Sequence, residues 1–330
     1  MVSASNSSDW PAKLLAVFKR SNTCEYASLT RAGTPVTLPL GPFVGNGTLD
    51  VSTGLSFPAK AERARRNPKV ALLFADPIGA GMSGEPVVLV QGTAAVRDAD
   101  LQAGTDRYVR LTVAKYPAMV KGQPKFLLKR LPWYWARVWI EVTPVRMSWW
   151  PDRDLAVAPE EWHARDDLDL PSSDPAPPGR QPAPWLDPPR EWRDVAARAL
   201  ATLPLADLTV VDSDGYPLCV PVANAQLVGE QVALRIGNGA PALPAGPACL
   251  TLHGHPEVYT GEENHTLVGT LVHDDRGPVL HVERVLADWS IKGNRVRSTI
   301  DFLAKGRRLA PRVEAEAARR GQPVPRVNLP

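Results

Sequence analysis

The sequence predicts a mainly β protein with minor α content, folded as two copies of an antiparallel barrel or sandwich. Three observations lead to this fold class. Short β-type runs outnumber helical ones, the segment 33–39 returns as 215–221 with the pattern Gly-x-Pro-x-x-x-Pro, and a proline-rich stretch separates the copies. Further matches follow in the same order, pairing 68–74 with 247–253, 89–93 with 267–270, and 140–149 with 280–289. Ordered matches of this kind indicate an internal tandem repeat.

The repeat divides the chain into a first unit at 1–160, a linker at 161–190 and a second unit at 191–330. Eight of the 34 prolines fall within 171–189, beside several aspartates. Such a segment buries little apolar surface, so we expect a mobile linker there. The polar residues 1–9 are expected to form a loose tail.

The elements of the first unit follow from local patterns. An apolar stripe of Leu14, Leu15, Val17 and Phe18 predicts a helix over 10–20. Alternating and apolar runs bounded by turn residues predict strands at 24–30, 36–40, 48–53, 70–75 and 87–96, with one or two more in 135–149. A basic helix is expected at 59–66, where Asn67-Pro68 ends it, and another at 98–116.

The second unit repeats the opening strands at 205–211, 217–222 and 231–236. The segment 237–246 then contains no lysine, arginine or hydroxyl, and its glycines and prolines disfavour a helix. We therefore expect the second copy to be degenerate. The tail at 295–320 is a basic amphipathic pattern, which favours a solvated or docking helix over a nucleic-acid arm.

Composition excludes several classes of function. The chain has 330 residues and a net charge of +3, too small to require a polyanionic partner such as nucleic acid. No apolar stretch approaches the roughly 20 residues of a membrane span. The three cysteines have no metal-ligand spacing, and residues 1–9 lack a signal sequence. These features favour a reduced, cytoplasmic protein with neither a membrane nor a nucleic-acid partner.

The segment 51–60 carries the chemistry. A strand ends in Ser52 and Thr53, a loop follows, and Lys60 opens the helix predicted at 59–66. Hydroxyls, a cation and the N–H groups of a helix start are the donors that bind a phosphate. A solvated basic helix joining two strands is the alternative interpretation of the same spacing.

The same residues resemble the FMN-binding split barrel of the pyridoxamine 5′-phosphate oxidase-like family. The resemblance is carried by the strand ending in Ser52-Thr53 and by Lys60, followed by Ala64, Asn67 and Pro68 at the family's spacing, and it covers about residues 12–150. It implies tandem split β-barrels of Greek-key topology. It also implies that Lys60, Thr53 and Ser52 hold the flavin phosphate.

The resemblance further implies that the strand 36–40, with Pro39 and Leu40, lies against the flavin ring and that Gln91 lies near the ring or the ribityl chain. Gln91 could equally be an outward polar residue of its strand. Family members pair as homodimers around the flavin, so the two units are expected to form an intramolecular pseudodimer, with a further homodimer as an alternative.

The implied function is that of an FMN-dependent oxidoreductase, a flavoprotein acting on a small-molecule substrate that the sequence does not identify. No residue is singled out as a catalytic acid or base. A reductase that uses the deazaflavin coenzyme is an alternative, because Arg63, Arg65 and Arg66 could serve its longer anionic tail. Two further alternatives remain. One is a non-catalytic scaffold that binds a cofactor, and the other is a haem protein with a ligand histidine in the second unit.

Five of the six histidines lie in the second unit. His253-x-His255 could place two metal ligands on one strand face. No carboxylate or cysteine stands nearby in a familiar ligand spacing, so the sequence favours structural histidines and predicts no metal.

Overall fold

The structure is a computed structural model that describes residues 10–78, 80, 84–179, 191–286 and 295–329, with only the backbone at 295–303 and 305. Two antiparallel β-sheets dominate it, which confirms the mainly β fold class. Residues 1–9 and Trp289 of the last repeat match lie outside the described residues, as does part of the linker.

The first unit opens with a helix and then forms one sheet. Its helices are α1 (Ala12–Arg20), α2 (Ala59–Arg66), α3 (Leu101–Lys115), α4 (Lys125–Leu128) and α5 (Pro132–Trp135). Its strands are β1 (Cys24–Leu29), β2 (Pro35–Leu40), β3 (Phe43–Val44), β4 (Leu49–Gly54), β5 (Lys69–Phe74), β6 (Val87–Arg97), β7 (Arg137–Trp150) and β8 (Glu160–His163). The region predicted as one or two strands at 135–149 is thus a single long strand.

The second unit also opens with a helix, α6 (Trp192–Thr202), which the sequence patterns did not predict. Its strands are β9 (Leu205–Val211), β10 (Pro217–Pro221), β11 (Asn224–Val228), β12 (Gln231–Arg235), β13 (Gly246–Gly254), β14 (Glu263–Asp274) and β15 (Gly277–Val285). The chain ends in α7 (Arg295–Arg319).

The two sheets have the same strand order. It runs β2-β1-β5-β6-β7-β4-β3 in the first and β10-β9-β13-β14-β15-β12-β11 in the second, with β8 added beside β7. Each strand of the second sheet thus occupies the place of the first-sheet strand whose number is lower by eight, so that β9 corresponds to β1 and β10 to β2. Each unit also begins with a helix before its first strand, so the similarity extends beyond the sheets.

Both sheets contain a β-bulge next to a glycine at the same place. The two glycines therefore show which residues of the two units correspond. The pairing shifts at Gly92 in the first sheet and at Gly269 in the second. A Cβ on Gly92 would lie 2.6 Å from a backbone oxygen of the neighbouring strand, and one on Gly269 would lie 1.9 Å away. Only glycine allows this close approach.

Strand pairing around these glycines moves two of the sequence matches. Val70 pairs with Gly92 and Ala248 with Gly269, so the match of 68–74 with 247–253 is wrong by one residue. Gly92 opposes Pro144 and Gly269 opposes Val282, so the match of 140–149 with 280–289 is wrong by two. The bulge occurs in both sheets and does not cause these offsets; strand pairing shows which positions correspond, whereas the sequence matches were aligned on a few shared residue types.

The sheets pack against each other through an apolar interface to which both units contribute, including Ala71, Leu73 and Trp150 from the first and Leu218, Cys219 and Leu250 from the second. β2 contacts β9, β13 and β14, while β10 contacts β1, β5 and β6. These two sets correspond under exchange of the units. An interface of this kind has the pattern of an isologous dimer contact.

Two segments outside the sheets pack onto the first unit. Ser173 and Asp174, in the stretch that we expect to be a mobile linker, hydrogen-bond to the edge of β6 and to the backbone that follows it. α7 inserts Leu309, Val313 and Ala317 into the core of the first unit, although it follows the second unit in the chain. Among the described residues, no helix is long and apolar enough to cross a membrane.

Candidate functional site

The amine of Lys60 lies at the start of α2, after the loop that leaves β4. Pro58 precedes this helix and no side chain caps it, so its first N–H groups are free to bind an anion. Lys60 is half-buried and makes no hydrogen bond or ion pair with any described residue. Burial, reinforced by the charges of Arg63 and Arg137, lowers the pKa of Lys60 to about 8. A half-buried cation without a partner is poised to bind an anion.

Arg63 lies one turn further along α2 and adds a second positive charge. Its Nε donates to Ser28 Oγ at 3.0 Å, which fixes the side chain against β1. Burial lowers the pKa of Arg63. The part of the chain that the structure describes offers neither Arg63 nor Lys60 a carboxylate within ion-pair distance.

Arg137, the third cation, begins β7 and lies over aromatic rings. Its guanidinium carbon is 4.3 Å from the ring centre of Tyr108 and 5.4 Å from that of Tyr134. It also donates to the Tyr108 hydroxyl at 3.1 Å. These contacts hold the guanidinium in place, and its buried Nε has no hydrogen-bond partner among the described residues, which leaves a donor for an acceptor.

The second unit reaches this region through the loop between β13 and β14. The ring of Tyr259 lies 4.9 Å from that of Tyr116 in the first unit. Tyr259 donates to Glu262 at 3.2 Å, and Asn264 donates to the other oxygen of Glu262 at 2.9 Å. The charge of Glu262 acts on Lys60, raising its pKa in opposition to burial. The cation cluster therefore lies at the junction of the two units.

The side chains of Ser52 and Thr53 point to opposite faces of β4, as consecutive strand residues must. Thr53 is buried and donates to the carbonyl of Phe57 at 2.8 Å, which shapes the loop that leads to Lys60. Ser52 lies opposite Trp139 of β7 in the strand pairing, on the other face of the sheet from Thr53. In the same loop, Ser56 is fully buried and its hydroxyl has no partner among the described residues. Ser56 is a donor that the sequence patterns did not single out.

Pro39 and Leu40 end β2, a strand that the second unit covers. The carbonyl of Thr37 accepts hydrogen bonds from the hydroxyls of Thr251 and Thr266, each at 3.0 Å. Pro39 is buried and Leu40 packs against the core of the first unit. The backbone expected to face a flavin ring is thus occupied at Thr37 by contacts between the units.

Gln91 is also engaged at the interface between the units. Its amide donates to Asp212 and to the carbonyl of Pro217, both at 2.8 Å, and its oxygen accepts a hydrogen bond from Arg146. Both polar atoms of the Gln91 side chain therefore have partners within the protein.

The remaining arginines of α2 differ from Arg63. One guanidinium nitrogen of Arg65 donates to both carboxylate oxygens of Asp98, at 2.9 Å to each, and Arg66 is exposed. Of the three arginines expected to serve a long anionic tail, only Arg63 is close enough to Lys60 for its charge to lower the pKa of the amine.

In the second unit, the matching connection contains no helix and contacts the end of β7 and the chain that follows it. The Gly239 N–H donates to the Leu155 carbonyl at 2.7 Å, and the Trp150 indole donates to the Gly239 carbonyl at 3.0 Å. A Cβ on Gly237 would lie 1.9 Å from the carbonyl oxygen of Asp154. The place corresponding to the Lys60 segment is therefore packed with backbone from the first unit.

Comparison with known proteins gives matches to structures only. No family model and no curated protein matches the chain. The chain is similar to a putative pyridoxamine 5′-phosphate oxidase from Listeria innocua, with 18% identity, 42% of this chain and 97% of the other covered, and a TM-score of 0.30. A related FMN-binding protein from Nostoc punctiforme has 14% identity, 49% and 94% coverage, and a TM-score of 0.34. An F420 reductase has 17% identity, 40% and 94% coverage, and a TM-score of 0.31.

Proposed function

We propose that this chain binds one FMN at the junction of its two units and acts as a flavin-dependent oxidoreductase on a small molecule. The observation that carries the proposal is the Lys60 amine, which lies without a partner at an uncapped helix start beside Arg63 and Arg137. The buried, unsatisfied hydroxyl of Ser56 in the adjoining loop is a further donor. This donor set fits a phosphate monoester, which carries close to two negative charges at neutral pH.

Bound FMN would supply the capacity to accept and return a hydride or single electrons. The residues of the chain would bind and orient it. Lys60, Arg63 and the N–H groups of α2 would hold the phosphate, while Tyr108, Tyr116 and Tyr259 would exclude water near it. No described residue is assigned as a proton donor or acceptor.

The two-unit architecture supports an intramolecular pseudodimer. The sheets share one strand order, and exchanging the units exchanges the contacting strands. We infer that the chain combines in one molecule what a homodimer would form from two copies. The second unit would then cover the cofactor through Tyr259 and Glu262, rather than bind a second one.

We expect at most one flavin per chain. The second unit has no lysine or arginine in the connection that matches the Lys60 segment, and Leu155 and Trp150 bond to that connection. The test is to reconstitute the protein with FMN and separately with deazaflavin coenzyme, remove free ligand, denature the protein, and count the released cofactor per chain.

The outcomes of this count differ for each hypothesis. About one FMN per chain supports the proposal, and two would mean that the second unit binds cofactor by another route. Retention of deazaflavin alone, recognised by absorption at shorter wavelength than flavin, would favour the deazaflavin alternative. Retention of neither would favour a scaffold.

The affinity for FMN should depend on pH through Lys60. Its pKa is about 8 in the free protein, and a bound phosphate would raise this pKa because it stabilises the charged amine. The affinity should therefore be full below pH 8 and fall as the pH rises above it, by up to about tenfold per unit. Below about pH 6 the phosphate itself gains a proton, and affinity should fall again.

Titration of FMN across this pH range, followed by flavin fluorescence, measures both limbs. In Lys60→Met the decline above pH 8 should disappear while the decline at low pH remains. A wild-type affinity that stays constant from pH 7 to pH 10 would contradict a role for the Lys60 charge.

A further inference from the structure

Three side chains of metal-ligand type meet at the interface between the units, apart from the cation cluster. They are Glu25 of β1, Asp207 of β9 and His253 of β13, and all three are fully buried. Glu25 pairs with Pro39, and Asp207 pairs with Pro221. These prolines close the repeated Gly-x-Pro-x-x-x-Pro pattern, so the two carboxylates occupy equivalent positions in the two sheets.

The donor atoms of these residues converge. His253 Nε2 lies 3.0 Å from Asp207 Oδ2 and 3.1 Å from Glu25 Oε1, and one ligand atom from each residue lies within 4.8 Å of the others. Ligand atoms around a tetrahedral zinc ion lie about 3.3 Å apart, given bonds of about 2 Å. The two separations measured from His253 Nε2, 3.0 and 3.1 Å, are close to that value.

A single proton does not satisfy this arrangement. Both carboxylates approach the same nitrogen of His253, which can carry one hydrogen. The better-aligned hydrogen bond goes to Asp207, so Glu25 shares the His253 nitrogen at 3.1 Å with a carboxylate that already uses its hydrogen. Arg153 contacts the other oxygen of Asp207 at 3.2 Å. Among these four groups, Glu25 therefore has only the shared nitrogen of His253 as a partner for its two buried oxygens, which is a costly state for a carboxylate.

We propose that Glu25, Asp207 and His253 bind a divalent transition-metal ion, with Zn²⁺ the best match. Two carboxylate oxygens and one imidazole nitrogen suit Zn²⁺, whereas Ca²⁺ and Mg²⁺ prefer six or more oxygen ligands. The contact of Arg153 with the outer oxygen of Asp207 would orient that ligand. The ion would join β1 of the first unit to β9 and β13 of the second, and would stabilise their association independently of flavin.

The structure gives His253 other neighbours than its spacing in the sequence suggested. The spacing of His253 and His255 suggested a pair of ligands on one strand, without nearby carboxylates. In the structure, His255 instead pairs with Asp76 at 2.9 Å. The carboxylates beside His253 come from β1 and β9, two strands that are distant from it in the sequence.

The test uses the full chain, freed of metal by chelator and dialysis. Co²⁺ is added as a spectroscopic probe, since its visible bands report coordination, and Zn²⁺ is then titrated in competition. The wild type should bind about one ion per chain, and Zn²⁺ should displace Co²⁺. Glu25→Gln, which keeps the side-chain shape, should weaken binding by at least about tenfold, and Asp207→Asn should do the same. His273→Gln, at an exposed histidine of the second unit, should bind as the wild type does.

Two results would overturn the proposal. One is a wild-type chain that binds neither Co²⁺ nor Zn²⁺ in these titrations. The other is ion binding that Glu25→Gln and Asp207→Asn leave unchanged. The wild-type measurements need no variant, so poor folding of a variant would not prevent a decision.

Discussion

Replacing Lys60 by alanine is expected to weaken the binding of FMN by about tenfold or more, since a hydrogen bond to a charged group contributes about 1.5–3 kcal/mol. The folded protein should lose no stability, because the amine has no partner among the described residues to leave unpaired. Burial lowers the pKa of Lys60 to about 8. The charged amine is therefore less stable in the folded protein than in water, and removing it should not destabilise the fold. A fluorescence titration with FMN, alongside a urea denaturation of the free protein, measures both quantities.

Two controls isolate the phosphate contact. Lys13→Ala removes an exposed lysine that pairs with Glu160 at 2.7 Å, away from the site, and should leave FMN binding unchanged. Riboflavin lacks the phosphate, so the wild type and Lys60→Ala should bind it equally. If Lys60→Ala binds FMN as tightly as the wild type, Lys60 is not part of the phosphate site.

The local part of this site could be predicted from the sequence. The helix expected at 59–66 is α2, Ala59–Arg66, because Pro58 favours a helix start and Asn67-Pro68 ends the helix. The strand before it and the position of Lys60 follow from the same short-range rules. These rules act within a few residues, so one sequence is enough to apply them.

The contacts between the units could not be predicted in the same way. Gln91 looked like a cofactor ligand or an outward polar residue, and the docking of the units gives it Asp212 and Pro217 instead. Tyr259 and Glu262 lie in a loop without a periodic pattern, yet they reach the Lys60 region from the other unit. Such partners depend on how two sheets pack, which no local spacing encodes.

The position of α7 illustrates the same limit. Its amphipathic pattern predicted a helix at 295–320, close to the observed Arg295–Arg319, but gave no information about the surface that it covers. Besides its apolar contacts with the core of the first unit, α7 meets this surface through a charge network among α2, the turn between β6 and α3, and the end of α7. Its members are Glu62, Arg65, Asp98, Glu316, Arg319 and Arg320. With three acids and three bases, the network is electrically balanced.

Replacing Asp98 by alanine is expected to lower the free energy of unfolding by about 3–5 kcal/mol, the cost of removing one partner from a buried ion pair. Asp98 accepts two bonds from Arg65 and one from Arg320, all at 2.9 Å. The side chains of Asp98 and Arg320 are 3% and 2% exposed, so water cannot replace the lost contacts. Urea denaturation of the wild type and the variant measures this difference.

Asp167→Ala is the matched control, since it removes a carboxylate of the same size from the surface. Asp167 lies 3.7 Å from Arg165, and both side chains are mostly exposed, so its loss should cost less than about 1 kcal/mol. Asp98→Asn should fall between the two, because the amide oxygen can still accept a bond from one arginine while the negative charge is lost. Equal stabilities for Asp98→Ala and Asp167→Ala would mean that the network positions α7 without adding net stability, as a buried ion pair can when desolvation cancels its attraction.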